Sequence, residues 1–237
     1  MDADSHLDHL KRAAARRAVE FVEPDMVIGL GTGSTAAFVV EELGRRVKDG
    51  LKIVAVPSSE HTAALARGCG IALAGFAEHQ RIDLAIDGAD EVARGTLALT
   101  KGGGGALLRE KIVAAASDRF LVVVDDGKLV DRLGTHMKLP VEVTQFGWQA
   151  TAAAIAARFG APTELRRHDE RPFVTDGGNF ILDCRFGPIA DPAALECRLN
   201  MTVGVVENGL FIGRAAAVIV ASESGVEILK PDQGGRR

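Results

Sequence analysis

The sequence predicts an α/β protein in which helices cover both faces of a mostly parallel sheet, with a smaller α+β domain after it. Short apolar runs alternate with helical patterns over the first 133 residues, as buried parallel strands require. After about residue 134 the pattern changes to antiparallel strands marked by turn residues. With 237 residues and 47% hydrophobic content, the chain can bury one large core or two modest ones.

The first part of the chain alternates short apolar strands with helices whose apolar residues recur at helical spacing. Helices are predicted at about 7–22, 34–48, 60–68 and 106–117. Strands are predicted at 26–31, 52–57, 71–74, 81–87 and 119–126, and a further apolar stretch lies at 97–100. Since these strands are almost continuously apolar, we expect both faces of their sheet to be buried.

The second part has the pattern of a small α+β domain. A strand over 138–146 precedes a helix over 147–160 that ends at a glycine. Antiparallel strands flank a turn at 175–179, and a helix begins near Asp191-Pro192, where proline suits the first turn. Asn208-Gly209 is typical of a tight hairpin, and two strands in the tail are expected to return to the first sheet. The predicted domains are residues 1–133 with 207–237, and residues 134–206.

Composition and charge exclude several classes of protein. The net charge is −4 and the pI is about 5.9, without a basic stripe, so no nucleic acid is expected as a partner. No apolar run approaches the roughly 20 residues of a membrane span, and the N-terminus lacks the apolar core of a signal peptide. Cys69, Cys184 and Cys197 have no CxxC spacing, so we expect reduced thiols in a cytoplasmic protein.

Five polar segments marked by glycine or serine follow the predicted strands and the short apolar stretch. They are GLGTGST (29–35), PSSE (57–60), DGADE (87–91), KGGGG (101–105) and DDGK (125–128). In open parallel sheets, ligands bind beyond the carboxyl ends of the strands. We therefore expect these segments to meet at one edge of the sheet and to form the ligand site.

The segment GLGTGST predicts a loop for a single phosphate. It resembles a dinucleotide fingerprint, but Ser34 replaces the third glycine. The next strand ends in Val56-Pro57-Ser58-Ser59, with no acid to hold a ribose hydroxyl, which disfavours a nicotinamide or flavin. No Gly-Lys-Ser/Thr closes the loop, so a Walker-type site is excluded as well. Amides at a helix start, with the hydroxyls of Ser34 and Thr35, suit one phosphate. The alternative is an ordinary Ser or Thr N-cap after a glycine turn.

The run KGGGGALLREK (101–111) is the most informative stretch. Its four glycines allow close backbone approach to a ligand, and the helix after them carries one acid, Glu110. This helix is apolar on most of its circumference, so we expect it to be buried and the pKa of Glu110 to be raised by desolvation. Such a carboxylate suits general base work. The alternative is an ordinary ion pair of Glu110 with Arg109 or Lys111.

Three more charged residues lie beside these loops. Lys101 can supply positive charge where a carbonyl oxygen becomes an oxyanion; the alternative is a solvated loop lysine. Asp87 and Asp90 can hydrogen-bond sugar hydroxyls or hold a metal; the alternative is a turn with Asx hydrogen bonds. A metal is disfavoured here, because no histidine lies nearby and the adjacent lysine would compete.

With these residues assembled, the chain closely resembles ribose-5-phosphate isomerases of the A type over nearly its whole length. The resemblance rests on LKRAAARRAVEFVEPDMVIGLGTGSTA, DGADE, KGGGGALLREKI, DDGKLVDRLG, LPVEV and TDGGNFILD. The spacing of DGADE and KGGG–ALxREK is specific for that family, whereas GxGTGST is shared with wider relatives. Gly105 stands where alanine is expected, and residues 59–62 are a looser version of the family's serine-rich segment.

The resemblance implies a role for each matching position. Glu110 matches the proton-abstracting base, with Asp87, Asp90 and Lys101 as further catalytic groups. The implied substrate-binding residues are Thr32, Gly33, Ser34, Thr35, Asp87, Gly88, Ala89, Asp90, Lys101, Gly102, Gly103, Gly104, Lys128 and Lys11. The fold implied is a Rossmann-like sheet with a ferredoxin-like small domain.

The implied reaction interconverts D-ribose 5-phosphate and D-ribulose 5-phosphate through an ene-diolate, in the non-oxidative branch of the pentose phosphate pathway. No cofactor and no metal are expected, and the implied assembly is a homodimer or a dimer of dimers. One rival is a sugar-phosphate deaminase or lactonase, which should lack the DGADE and KGGGG–REK pairing. The other is a non-catalytic sugar-phosphate sensor, which would need a DNA-binding segment that this chain lacks.

Overall fold

A computed structural model describes residues 3–231 of the chain. The six helices found in this range are α1 Ala3–Val19, α2 Ser34–Lys48, α3 Glu60–Gly68, α4 Leu107–Ala115, α5 Trp148–Phe159 and α6 Pro192–Asn200. The first strands are β1 Val27–Leu30, β2 Val54–Pro57, β3 Ala72–Leu73, β4 Ile82–Asp87, β5 Glu91–Ala93, β6 Leu99–Thr100, β7 Ser117–Asp125 and β8 Leu129–Val130. The remaining strands are β9 Leu139–Val143, β10 Thr163–Leu165, β11 Arg167–His168, β12 Arg171–Pro172, β13 Phe180–Cys184, β14 Val205–Asn208, β15 Leu210–Phe211, β16 Ala217–Ser222 and β17 Gly225–Leu229.

The central sheet has seven strands in the order β17-β16-β7-β4-β1-β2-β3. All neighbours are parallel except β17, which runs antiparallel to β16. The predicted mostly parallel sheet is therefore confirmed, and so is the return of the tail to it. Among the described residues, no helix has the length and apolar character needed to cross a membrane.

Both faces of the central sheet are buried, which explains why its strands are almost continuously apolar. Along β7, Leu121 and Val123 pack with helices α1, α2 and α3 on one face. Val122 and Val124 pack on the other face, together with α4 and β15. Since successive side chains of a strand point to opposite faces, a strand covered on both sides has to be apolar at every position.

Strands β9, β10, β13 and β14 form a second, antiparallel sheet in the order β10-β13-β9-β14. Helix α5 connects β9 to β10 and α6 connects β13 to β14, which is the split β-α-β pattern of a ferredoxin-like fold. The predicted α+β character of this part is confirmed. The domain boundaries themselves stay a prediction.

The predicted hairpin at Asn208-Gly209 is wrong. Strand β14 before it pairs with β9, whereas β15 after it pairs with β6 in a third sheet of order β15-β6-β5-β8. A Cβ at position 209 would lie 2.3 Å from the carbonyl oxygen of Lys101. The glycine is needed because two backbones pass close together, not because the chain turns back on itself.

The first helix is also displaced from its prediction of 7–22, since it begins at Ala3 and ends at Val19. The residues after it form a turn, in which the N–H of Val22 donates to the carbonyl of Val19. Val22 is buried in the same core as the apolar residues of α1. The apolar pattern of the sequence therefore extends past the end of the helix. Cys69, Cys184 and Cys197 are unpaired, as predicted.

Candidate active site

A pocket of about 300 Å³ opens at the carboxyl ends of β1, β4 and β7. Every predicted site residue lines this pocket except Asp87, which is buried beside it; Leu7 of α1 is the one lining residue that was not predicted. Four of the five predicted polar segments therefore meet here. The fifth, residues 57–60, lies outside the lining, and its Ser58 and Ser59 contact Thr32 through their hydroxyls.

Three buried charged residues form a cluster, of which Lys101 and Glu110 line the pocket and Asp87 lies beside it. The ammonium of Lys101 lies 3.0 Å from Asp87 Oδ2 and 3.3 Å from Glu110 Oε1. It also donates to the carbonyl oxygen of Gly88 at 2.7 Å. The side chain of Lys101 is 3% exposed, so the alternative of a solvated loop lysine is wrong. One cation thus bridges two carboxylates away from bulk water.

Burial raises the pKa of Glu110 to about 8, as predicted, because desolvation outweighs the opposing effect of Lys101. The neighbouring charges of Asp87 and Asp90 raise the pKa of Glu110 further. Burial likewise raises the pKa of Asp87, against the effect of Lys101. Burial lowers the pKa of Lys101, but the two carboxylates outweigh it, so that pKa is raised overall and the lysine stays charged.

Glu110 has one carboxylate oxygen held and one without a partner. Oε1 faces Lys101, whereas the buried Oε2 has no hydrogen-bond partner among the described residues. A buried polar atom without a partner is costly and uncommon in a folded protein. Glu110 itself lines the pocket.

Helix α4 positions Glu110 by packing one face into the core. Val113 and Ala114 are buried against the central sheet, but Ile112 is 46% exposed, so the expectation of burial around most of the helix is wrong on its outer face. The alternative ion pairs are absent, because the neighbouring bases pair elsewhere. Arg109 pairs with Glu60 and Asp176, and Lys111 pairs with Glu196 and Glu207.

Asp87 is fixed by backbone groups as well as by Lys101. Its Oδ1 accepts hydrogen bonds from the N–H of Thr32 at 3.1 Å and of Gly88 at 2.7 Å. A Cβ at Gly31 would lie 2.0 Å from this carboxylate, so glycine is needed for the close approach. Asp90 lines the pocket and accepts from the N–H of Gly103 at 2.7 Å. The two acids therefore have different surroundings, although they are three residues apart.

The start of α2 lines the same pocket. Gly33 is its N-cap with φ of +112°, and no side chain caps the helix, so the alternative of an ordinary Ser or Thr N-cap is wrong. Exposed Ser34 begins the helix, and Lys128 and Lys11 line the same pocket. A helix start beside two cations suits an anionic group. The hydroxyl of Thr32 is not available for a ligand in this arrangement, since it bonds to Ser58, Ser59 and Thr62.

The structure explains why glycine stands at position 105, at the end of the glycine run. Its φ is +83°, and a Cβ there would lie 2.4 Å from the ring of Phe173. Alanine, the residue expected at this position, would be strained in that conformation and would displace the ring. The substitution by glycine and the position of Phe173 therefore fit each other.

The fold and the buried charges are those of an α/β enzyme with an acid–base site. No group of three or more His, Cys, Asp or Glu residues that could hold a metal ion occurs in the described part of the chain. The pocket instead combines a carboxylate of raised pKa, a buried ammonium and a helix start flanked by lysines.

Comparisons with known proteins identify the family. The family model described as ribose 5-phosphate isomerase A (phosphoriboisomerase A) matches residues 54–225. Ribose-5-phosphate isomerase A of Gloeobacter violaceus is 62% identical over 225 residues, which cover 95% of this chain and 97% of the relative. The chain therefore belongs to the ribose 5-phosphate isomerase A family and is an isomerase, as the resemblance implied.

Solved structures agree with this assignment. Ribose 5-phosphate isomerase A from Methanocaldococcus jannaschii superimposes with a TM-score of 0.90 at 41% identity, covering 94% of this chain and 99% of that one. A D-ribose-5-phosphate isomerase in complex with phospho-erythronic acid gives a TM-score of 0.91 at 42% identity, with the same coverage. These similarities confirm the predicted fold class.

Proposed function

We propose that this protein interconverts D-ribose 5-phosphate and D-ribulose 5-phosphate, with Glu110 as the general base. The observation that carries the proposal is the buried Glu110 carboxylate, whose pKa is raised to about 8 and whose Oε2 lacks a protein partner beside the pocket. A base with a pKa near the working pH combines a useful ionised fraction with useful basicity. The relatives named above are called ribose 5-phosphate isomerases.

In the proposed mechanism, Glu110 removes the C2 proton of the open-chain aldose and returns it to C1. The intermediate is an ene-diolate, whose developing negative charge is stabilised by Lys101 and by the amides of the glycine run. A second proton has to move between O1 and O2. We assign this transfer to Asp90, because Asp90 lines the pocket whereas Asp87 is buried and held by Lys101.

The phosphate of the substrate is proposed to bind at the start of α2, near Ser34 and Thr35, with Lys128 and Lys11 as cations. These residues line one pocket with Glu110, so a bound phosphate would anchor the sugar while its carbonyl end reaches the base. Phospho-erythronic acid, which a relative binds, carries a phosphate and a carboxylate. We therefore expect it to compete with the substrate here. The proposed setting is the non-oxidative pentose phosphate pathway in the cytoplasm.

The test is a coupled isomerase assay on the wild type and Glu110→Gln. Glutamine keeps the shape of the side chain but cannot accept the proton, so kcat should fall by on the order of a hundredfold or more with KM little changed. Glu42→Gln is the matched control, because Glu42 is also a buried glutamate but lies on α2 outside the pocket. This control should keep wild-type kcat.

Two outcomes would contradict the proposal. Glu110→Gln with near-full activity would remove Glu110 as the base. A wild type that turns over glucosamine 6-phosphate and not ribose 5-phosphate would indicate a sugar-phosphate deaminase instead.

A further inference from the structure

Arg166 reaches from the small antiparallel sheet to the main chain of the glycine loop, defined here as Gly102–Gly105. It follows β10, and its side chain is 15% exposed. Its Nη1 donates to the carbonyl oxygen of Gly102 at 2.7 Å and to that of Gly103 at 3.1 Å. The guanidinium therefore holds two consecutive peptide groups of the pocket wall, although Arg166 itself does not line the pocket.

Asp183 holds the guanidinium of Arg166 in this orientation. The Nε of Arg166 donates to Asp183 Oδ2 at 3.0 Å, and Nη2 donates to Oδ1 of the same carboxylate. Such a two-point pair fixes the plane of the guanidinium as well as its position. The backbone adds to this, because the N–H of Arg166 donates to the carbonyl of Ile181 at 2.8 Å. The cation is thus oriented before any ligand binds.

The direction of the two peptide groups follows from these contacts. No cis peptide occurs in the described part of the chain, and in a trans peptide the C=O and N–H point in opposite directions. With both carbonyls turned to Arg166, both N–H groups point away from it. That of Gly103 donates to Asp90 at 2.7 Å, whereas that of Gly104, which lines the pocket, donates to no protein atom in the described range.

We propose that Arg166 is a positioning residue that presents the N–H of Gly104 to the oxyanion of the ene-diolate. This inference rests on the proposed function. A cation at the carbonyl end of a peptide also polarises it, so that its N–H becomes a stronger donor. A donor already oriented toward developing charge stabilises the transition state without reorganisation. Arg166 acts through the backbone and touches no substrate atom.

The test compares steady-state kinetics of the wild type, Arg166→Met, Arg166→Lys and Asp183→Asn. In Arg166→Met, kcat should fall tenfold or more while KM changes less than about threefold, as for a contact made in the transition state. The kcat of Arg166→Lys should lie between those of Arg166→Met and the wild type. Lysine keeps the positive charge but lacks the planar guanidinium that donates to several acceptors at once. Asp183→Asn should lose kcat in the same way. Arg167→Met is the matched control, since the neighbouring Arg167 is exposed and its side chain donates to the carbonyl of Glu170, which is outside the pocket.

A second measurement separates positioning from folding. Millimolar guanidinium chloride should restore part of the lost kcat to Arg166→Ala, relative to equal sodium chloride, and Tm should be recorded for every variant. Arg166→Met with kcat within twofold of an active wild type would overturn this role and leave the proposed function intact. If kcat of the Arg167→Met control fell as far as that of Arg166→Met, this would also overturn the role. An inactive wild type would instead contradict the proposed function.

Discussion

Glu110 shows how one residue obtains its chemistry from its surroundings. Desolvation raises its pKa to about 8, and the ammonium of Lys101, 3.3 Å away, limits that rise. A general base acts in its deprotonated form, so kcat/KM should decrease as the pH falls below about 8. The acidic limb of the pH profile therefore depends on the charges around Glu110. Removing one of these charges should shift that limb along the pH axis.

Asp87→Asn should shift the acidic limb of kcat/KM to lower pH. The carboxylate of Asp87 raises the pKa of Glu110, and asparagine removes that charge while keeping a similar shape. With one negative neighbour fewer, Glu110 loses its proton at lower pH, whatever happens to the maximal rate. The measurement is kcat/KM against pH for the wild type and Asp87→Asn.

Asp83→Asn is the control, since Asp83 is on the same strand and accepts a hydrogen bond from the N–H of Val27 outside the pocket. A limb that stays in place or moves upward would contradict the assignment.

The residue types of the site were predictable, but their pairing was not. The motif at 101–111 indicated a base at Glu110 and a cation at Lys101. That Lys101 bridges Glu110 and Asp87 depends on the sheet, which brings β4 beside the glycine loop. Arg166 had no signal at all, because an arginine that binds backbone carbonyls 63 and 64 positions away leaves no local pattern.

At the scale of elements, the link between β14 and β15 shows where a local signal fails. Asn-Gly is the strongest short-range hairpin signal, yet here it joins strands of different sheets. Asn208 is fully buried, and its Oδ1 accepts the N–H of Leu210 at 3.0 Å while its Nδ2 donates to Asn200. Gly209 accepts the N–H of Lys101 at 2.8 Å. The contact of Gly209 with Lys101 joins parts of the chain far apart in sequence, so the conformation of the link could not be predicted from two residues.

Gly209→Ala should destabilise the protein and impair the site together. The added Cβ would lie 2.3 Å from the carbonyl oxygen of Lys101, so one backbone has to move, at a cost of about 1–3 kcal/mol in the free energy of unfolding. Because the N–H of Lys101 bonds to Gly209, the shift should also lower kcat. Urea unfolding and the isomerase assay measure the two effects.

Gly68→Ala is the matched control for this prediction. Gly68 is in α3 with nothing within 4 Å of its added Cβ, and alanine favours a helix by up to about 1 kcal/mol. Its free energy of unfolding should therefore stay equal or rise. A Gly209→Ala protein as stable as the wild type would show that the close approach does not matter.

At the scale of the whole molecule, the central sheet was predictable, including its short edge strand β3 within the predicted 71–74, whereas the third sheet was not. Apolar strands of four or more residues, alternating with helices, were enough to predict the central sheet. The third sheet, formed by β5, β6, β8 and β15, has strands of two or three residues, which are too short to show a period. Residues 134–206 are still proposed as a separate domain. Limited proteolysis within the range 134–138 would test that boundary.

We propose that the molecule forms a homodimer or a dimer of dimers, with an exposed apolar patch as an interface. We define the patch as Phe146, Met201 and Val203, whose exposed fractions are 95%, 76% and 91%. The two loops that carry it are adjacent, since the N–H of Thr144 donates to the carbonyl of Gly204. Apolar side chains clustered on a surface are typical of protein interfaces.

Phe146→Ser should therefore weaken the dimer, because it removes the largest apolar side chain of the patch. Light scattering should give two or four times the chain mass of 25.0 kDa for the wild type and a lower, concentration-dependent mass for the variant. Val226→Ser is the control, since Val226 is 39% exposed on β17 at an edge of the central sheet. Its mass should match that of the wild type. A wild-type monomer at micromolar concentration would contradict the expected assembly, whereas a dimer lost only in Val226→Ser would move the interface to β17.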